Sequence, residues 1–223
     1  MKLLNNILLL SIVISASNLS CLAQSITKNV PVNANANERY AFYLHGAIIQ
    51  EKGINAVSEQ YGKYEYTNIL FALQKQGFNV ISEARRKDTE VADYAAKIAR
   101  QVGQLLEAGV PAKRITVIGA SLGAYMTLEA AKLIENPEIK YVLLGLCGDY
   151  AVNLFMPSAG SFQGNFFSIF ERSDSKGSCA PIFTKLPKGS AFTELELNMG
   201  NEHGFLYKPY DDWVKPLAEF AKK

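Results

Sequence analysis

The sequence predicts an α/β fold: one domain, built on a mostly parallel sheet of about six strands with helices on both faces. Three observations predict it. Short apolar and β-branched runs alternate with amphipathic helical patterns along the chain. Gly77 stops one of the helical segments, and Gly109 with Pro111 closes another. At 223 residues, 48% hydrophobic and 20% charged, the chain is long enough for one sizeable core and short for two.

Each element follows from local pattern. Residues 1–23 begin Met-Lys, continue through an apolar stretch centred on 7–14 and end in small residues up to Ala23. That reads as a secretory signal, cut after Ala23, and too short to span a bilayer. The chain is therefore expected to be exported, periplasmic or secreted. Cys21, after Leu19 and Ser20, also weakly matches a lipid-acceptor pattern. Residues 24–38 read as a polar spacer that stays irregular, and the domain is expected to occupy 39–223.

Arg39–Leu44 is aromatic and apolar and leads into His45-Gly46, as a buried strand entering a tight loop does. Ile69, Leu70 and Leu73 fall at helical spacing before Gly77, and 78–81 is the next strand. From 89 to 107, Val91, Tyr94, Ala95, Ile98, Val102, Leu105 and Leu106 recur mostly at three and four, which is an amphipathic helix. Strands are expected at 115–118, 141–146, 166–170 and 192–197, with a helix over 122–134. A last helix spans 211–221, where Asp211 and Asp212 suit its N-terminal end and Pro216 is expected to kink or shorten it.

Composition excludes several function classes. Basic and acidic residues nearly cancel, 23 against 21, so nothing points to nucleic acid or an anionic membrane. The chain has two histidines, His45 and His203, and three cysteines with no C-x-x-C pair, so no zinc cluster is expected and no cofactor is called for. In an oxidising compartment Cys147 and Cys179 have two readings, a disulfide or two buried thiols.

The chemistry is carried by Gly119-Ala-Ser121-Leu-Gly123, a G-x-S-x-G placed between a β-branched strand and a helix. A sharp strand-to-helix turn needs small residues on both sides of the serine, and it lifts the hydroxyl clear of the sheet at a helix N-terminus. Serine is a poor nucleophile without an adjacent base. His203, in Asn201-Glu-His-Gly204 after the last strand, is the expected base; His45 is expected to shape the loop that follows the first core strand. A similar Gly-containing stretch at Ser161 fails because position 159 is Ala.

On these residues the chain resembles the α/β-hydrolase family from Arg39 onward. The resemblance rests on His45-Gly46 after a strand, the Ser121 elbow, an acidic loop after a later strand, and His203-Gly204. It implies a Ser–acid–His triad, with Ser121 as nucleophile, His203 as base, and the backbone N–H groups of Ala47 and Leu122 as oxyanion donors. Asp174 is the favoured acid, Asp149 the alternative and Glu171 the third. The implied activity is hydrolysis of ester or related acyl bonds in a small molecule, through an acyl-enzyme. A ligand-binding protein that has lost turnover, and a peptidase or thioesterase with the same triad, are the other readings. The chain departs from longer members of the family. Their leading hairpin is missing or reduced here, and the oxyanion loop has no His-Gly-Gly-Gly run. No helical insertion large enough for a lid is evident, residues 147–165 being the only room for one, so a relatively open site is expected. Arg85-Arg86-Lys87, with Glu83, Asp88 and Glu90 around it, reads as a solvated, self-neutralised loop. Tyr61, Tyr64 and Tyr66 receive no role.

Overall fold

The structure is a computed structural model, described here for residues 24–223. The secretory-signal and Cys21 expectations lie outside the described residues. The core is a seven-stranded sheet in which every neighbouring pair is parallel. Its strands are β1 (Ile26–Thr27), β2 (Arg39–Leu44), β5 (Phe78–Ile81), β6 (Ile115–Ala120), β7 (Lys140–Leu144), β8 (Asn165–Glu171) and β9 (Ala191–Leu197). In space the order is β1-β5-β2-β6-β7-β8-β9. Two further strands, β3 (Val57–Ser58) and β4 (Gly62–Lys63), pair only with each other as a small antiparallel hairpin. The helices are α1 (Ala47–Lys52), α2 (Tyr66–Lys75), α3 (Val91–Glu107), α4 (Leu122–Ile134), α5 (Asp149–Phe155) and α6 (Asp211–Lys222).

The alternation of side chains along each strand divides the core into two layers. On one face Tyr40, Phe42, Ile115, Val117, Tyr141 and Leu143 pack against α3 and α4. On the other, Ala41, Tyr43, Ile118, Ala120, Val142 and Leu144 pack against α1, α2 and α6. Both faces of the central strands are apolar because both are covered.

Two local expectations are corrected. The 24–38 spacer is not wholly irregular: Ile26 and Thr27 pair with Val80 and Ile81, adding the seventh strand where a leading hairpin is reduced to two residues. Its N-terminal anchor is polar, Ser25 N–H donating to Asn79 Oδ1 at 2.8 Å, so hydrophobic patterning did not reveal it. Helix α6 runs through Pro216 to Lys222 and is not shortened. Residues 147–165 form no lid. Phe155 and Phe162 anchor α5 and the 3₁₀ turn at Met156–Ser161 into the core. A Cys147–Cys179 disulfide ties the start of this segment to the chain after β8. In the chain-entropy account a cross-link 32 residues apart stabilises the fold by about 3–4 kcal/mol.

Candidate active site

The C-terminal ends of β2, β6, β7 and β8 open on one edge of the sheet, and the expected site residues sit there. Ser121 joins β6 to α4 with φ 51° and ψ −114°, a left-handed conformation that costs a non-glycine residue of order 1–3 kcal/mol. Two glycines make that turn possible. A Cβ on Gly119 would lie 2.4 Å from Gly123 O and Thr127 Oγ1, and a Cβ on Gly123 would lie 2.0 Å from Leu44 O. The first lets α4 close onto β6, and the second lets it close onto the end of β2. The Ser121 N–H donates to Leu144 O at 2.9 Å, fixing the elbow to the end of β7.

The loop after β2 closes over the same point. A Cβ on Gly46 would lie 3.6 Å from Ser121 Cβ, ordinary contact distance, so the Gly46 backbone passes directly beside the elbow. Ala47 and Leu122 are the first residues of α1 and α4, and N–H groups at that position have no acceptor within their own helix.

His203 opens the 3₁₀ turn at Glu202–Tyr207 from its second position, and its Nδ1 lies 2.5 Å from Asp174 Oδ2. Asp174 is held by a turn of its own, Oδ1 accepting the Lys176 N–H at 3.1 Å. The Asp174 side chain is 4% exposed and the His203 side chain 21%, so the carboxylate is enclosed and the ring reaches solvent. Gly145, just past β7, has φ 58°, and a Cβ there would lie 3.1 Å from His203 Cε1. The imidazole therefore lies over Gly145, one residue beyond the Leu144 carbonyl that holds Ser121. Gly145 was not singled out in the sequence, although a glycine closing an apolar strand is the signal that marks it.

The other acids take different places. Asp149 is the exposed first residue of α5, where the helix dipole favours it, and it makes no hydrogen bond to His203. Glu171, the last residue of β8, is fully buried and accepts hydrogen bonds from Ser173, Met199 and Gly200 rather than from histidine. Substituting Asp174 with Asn is expected to lower kcat on a small ester by about two to four orders of magnitude, and Asp149→Asn by less than about threefold. Steady-state kinetics on the two variants checks this.

His45 is a buried scaffold. Its Nε2 accepts the Arg85 N–H at 2.9 Å, so Nδ1 carries the proton beside Gly46 O at 2.8 Å. Burial, reinforced by the Arg85 charge, pushes its pKa down to about 3. Arg85 corrects the reading of its loop. Arg86 and Lys87 are solvated, but Arg85 is 4% exposed. Its guanidinium donates to His45 O and to Gln50 Oε1 and lies 5.2 Å from the Tyr94 ring centroid. No local sequence pattern marks such a residue, because its acceptors come from the loop after β2 and from α1.

The unfolded chain binds a proton at His45 near pH 6.5 and the folded chain does not until about pH 3. Stability is thus expected to fall as pH drops through that window, by about 2 kcal/mol between pH 7 and pH 5. Urea unfolding at the two pH values measures it, and a His45→Gln variant should lose that part of the slope.

Among the described residues, no three His, Cys, Asp or Glu side chains group as a metal site, and no helix is long and apolar enough to cross a membrane. Two open concavities flank the Asp174–His203 pair. One of about 500 Å³ is bordered by Asp174, Ser175, Cys147 and Asp149; one of about 350 Å³ is bordered by Tyr61, Asn201, Glu202 and Gly204.

No protein-family model matches the chain, and no curated protein does. Solved structures do. A fungal esterase from Rhizomucor miehei superposes over 86% of this chain and 76% of its own, at 12% identity and TM-score 0.55. A predicted CIB-like hydrolase from Thermoplasma acidophilum covers 83% of this chain and 87% of its own, at 16% identity and TM-score 0.52. A Pyrococcus furiosus esterase covers 83% of each chain, at 18% identity and TM-score 0.50. The chain has the α/β-hydrolase fold. At such identities the likeness concerns the fold alone. Within the α/β-hydrolase fold, β7 lies between β6 and β8, so the serine after β6 is held to Leu144 at the end of β7 and the His203 imidazole lies over Gly145 just past it.

Proposed function

We propose that this chain is an exported serine hydrolase, carboxylesterase-like, which cleaves ester or related acyl bonds of small molecules through an acyl-enzyme on Ser121. The observation that carries this reading is the strained Ser121 elbow at one side of the β7 end and the Asp174–His203 hydrogen bond at the other. Strain of that kind in a non-glycine residue persists only where surrounding structure enforces it, and it clusters at functional sites.

In the proposed reaction His203 Nε2 takes the Ser121 proton as Oγ attacks the acyl carbon. Asp174 holds the Nδ1–H tautomer and stabilises the imidazolium without taking the proton. The Ala47 and Leu122 N–H groups receive the developing oxyanion. His203 then protonates the leaving alcohol, and water repeats the sequence in reverse to release the acid.

The open edge of the sheet and the anchoring of 147–165 into the core favour short, soluble esters over long-chain lipid. Tyr125, one helical turn after Ser121 on α4, and the exposed Tyr150 on α5 have ring centroids 6.2 Å apart and offer an apolar contact to one side of a substrate. Export is supported by the pattern of residues 1–23 and by the disulfide, which suits an oxidising compartment. A p-nitrophenyl ester series tests the substrate class. Turnover is expected to be highest for acetate and butyrate and to fall for chains of about twelve carbons or more. Absence of turnover across the series by the folded protein would favour a binding protein instead.

A further inference from the structure

Glu171 is a carboxylate with no exposed surface and, among the described residues, no ion-pair partner. Its Oε1 accepts the Ser173 N–H at 3.2 Å, the Ser173 hydroxyl at 3.1 Å and the Gly200 N–H at 3.3 Å. Its Oε2 accepts the Met199 N–H at 2.8 Å. Ser173 precedes Asp174, while Met199 and Gly200 begin the loop that carries His203. The Ser173 hydroxyl oxygen also accepts the Glu202 N–H at 3.1 Å, immediately before His203. Glu202 itself has φ 48°, so this part of the loop is strained and must be held by its surroundings. One buried side chain therefore anchors both loops whose relative position sets the 2.5 Å Asp174–His203 contact.

Burial alone would raise the Glu171 pKa, but the N–H groups of Met199, Ser173 and Gly200 outweigh it and hold the carboxyl below its usual range. Peptide dipoles turned toward one point can carry a buried anion in this way. A structural apolar residue would serve to pack the end of β8. Four converging donors serve to fix the loops at a defined distance.

We propose that Glu171 is the positioning residue of the acid–histidine pair, an ionised carboxylate that holds the Asp174 loop against the His203 loop. This rests on the hydrolase reading above. Glu171→Gln keeps the volume but turns an NH₂ group toward either Met199 N–H or the Ser173 and Gly200 donors, so at least one bond is lost on one side.

The test is kcat and KM on p-nitrophenyl acetate for Glu171→Gln, Asp174→Ala and the double variant. Glu171→Gln is expected to lower kcat by about 10- to 100-fold with KM changed by less than about threefold. In the Asp174→Ala background the same change should cost less than about threefold, because its effect passes through the lost pair. A purely structural role would cost the same factor in both backgrounds, and that result, or a kcat within about threefold of the intact protein, overturns the proposal. If Glu171→Gln does not fold, Ser173→Ala takes its place. That residue is exposed, and its loss should lower kcat by about three- to tenfold, again only while Asp174 is present. No loss overturns the proposal. Failure of the intact protein to turn over any ester sinks the hydrolase reading and this one with it. Turnover insensitive to these variants sinks this one alone.

Discussion

Ser121→Ala is expected to lower kcat on a short p-nitrophenyl ester by about 10⁴- to 10⁶-fold while leaving the fold and its unfolding midpoint nearly unchanged. In the proposed mechanism every other part of the site acts on what happens at this oxygen. Without Oγ the imidazole has no proton to take and the oxyanion donors have no tetrahedral intermediate to hold. Groups that act as one unit lose nearly all of their effect when any essential member goes. The side chain removed is small and partly exposed, so little packing is lost. Alanine at this position also keeps the positive φ, whose strain the surroundings already impose. A variant within tenfold of the intact rate would place the nucleophile elsewhere.

Gly123→Ala is expected to be the most damaging single-methyl change in the chain, destabilising by about 3 kcal/mol or more and removing activity. The added carbon would stand 2.0 Å from Leu44 O and 2.5 Å from Leu44 C. Those atoms are backbone at the end of β2 and cannot swing aside as a side chain can. Relief requires α4 to lift away from β2, which carries Ser121 away from the Gly46–Ala47 loop. Gly103 is the control. It lies inside α3 with nothing within 4 Å of its Cβ position, so Gly103→Ala should be neutral or stabilising by up to about 1 kcal/mol. Urea unfolding of the two variants decides the matter, and equal midpoints would contradict the close approach of α4 to β2.

The contrast between these glycines shows what the sequence made legible. The G-x-S-x-G spacing between a β-branched strand and a helix identifies the tight approach by itself, because local sterics alone demand small residues there. The six long strands were equally readable, since each is a run of apolar or alternating residues. Elements too short to carry a pattern, or held by partners distant in sequence, were not. β1 is two residues held by Asn79, fifty-four positions away, and the β3–β4 hairpin is two residues on each side. α1 has six residues and no amphipathic period long enough to detect.

Residue roles divide in the same way. Asp174 was favoured on turn-forming neighbours, and it is the carboxylate that meets His203. Arg85 read as solvated because its neighbours in the chain are charged, yet its true neighbours are His45, Gln50 and Tyr94. Glu171 entered as a third choice of acid because it is an acid at the right strand end. Only the fold shows that its oxygens are already taken by both loops.

The most direct measurement is the mass of the folded protein after reaction with a fluorophosphonate, followed by peptide mapping of the adduct. The proposed mechanism requires a single phosphonyl group on Ser121, absent from Ser121→Ala and formed much more slowly in His203→Ala. An unmodified protein, or an adduct that maps to another residue, would contradict it.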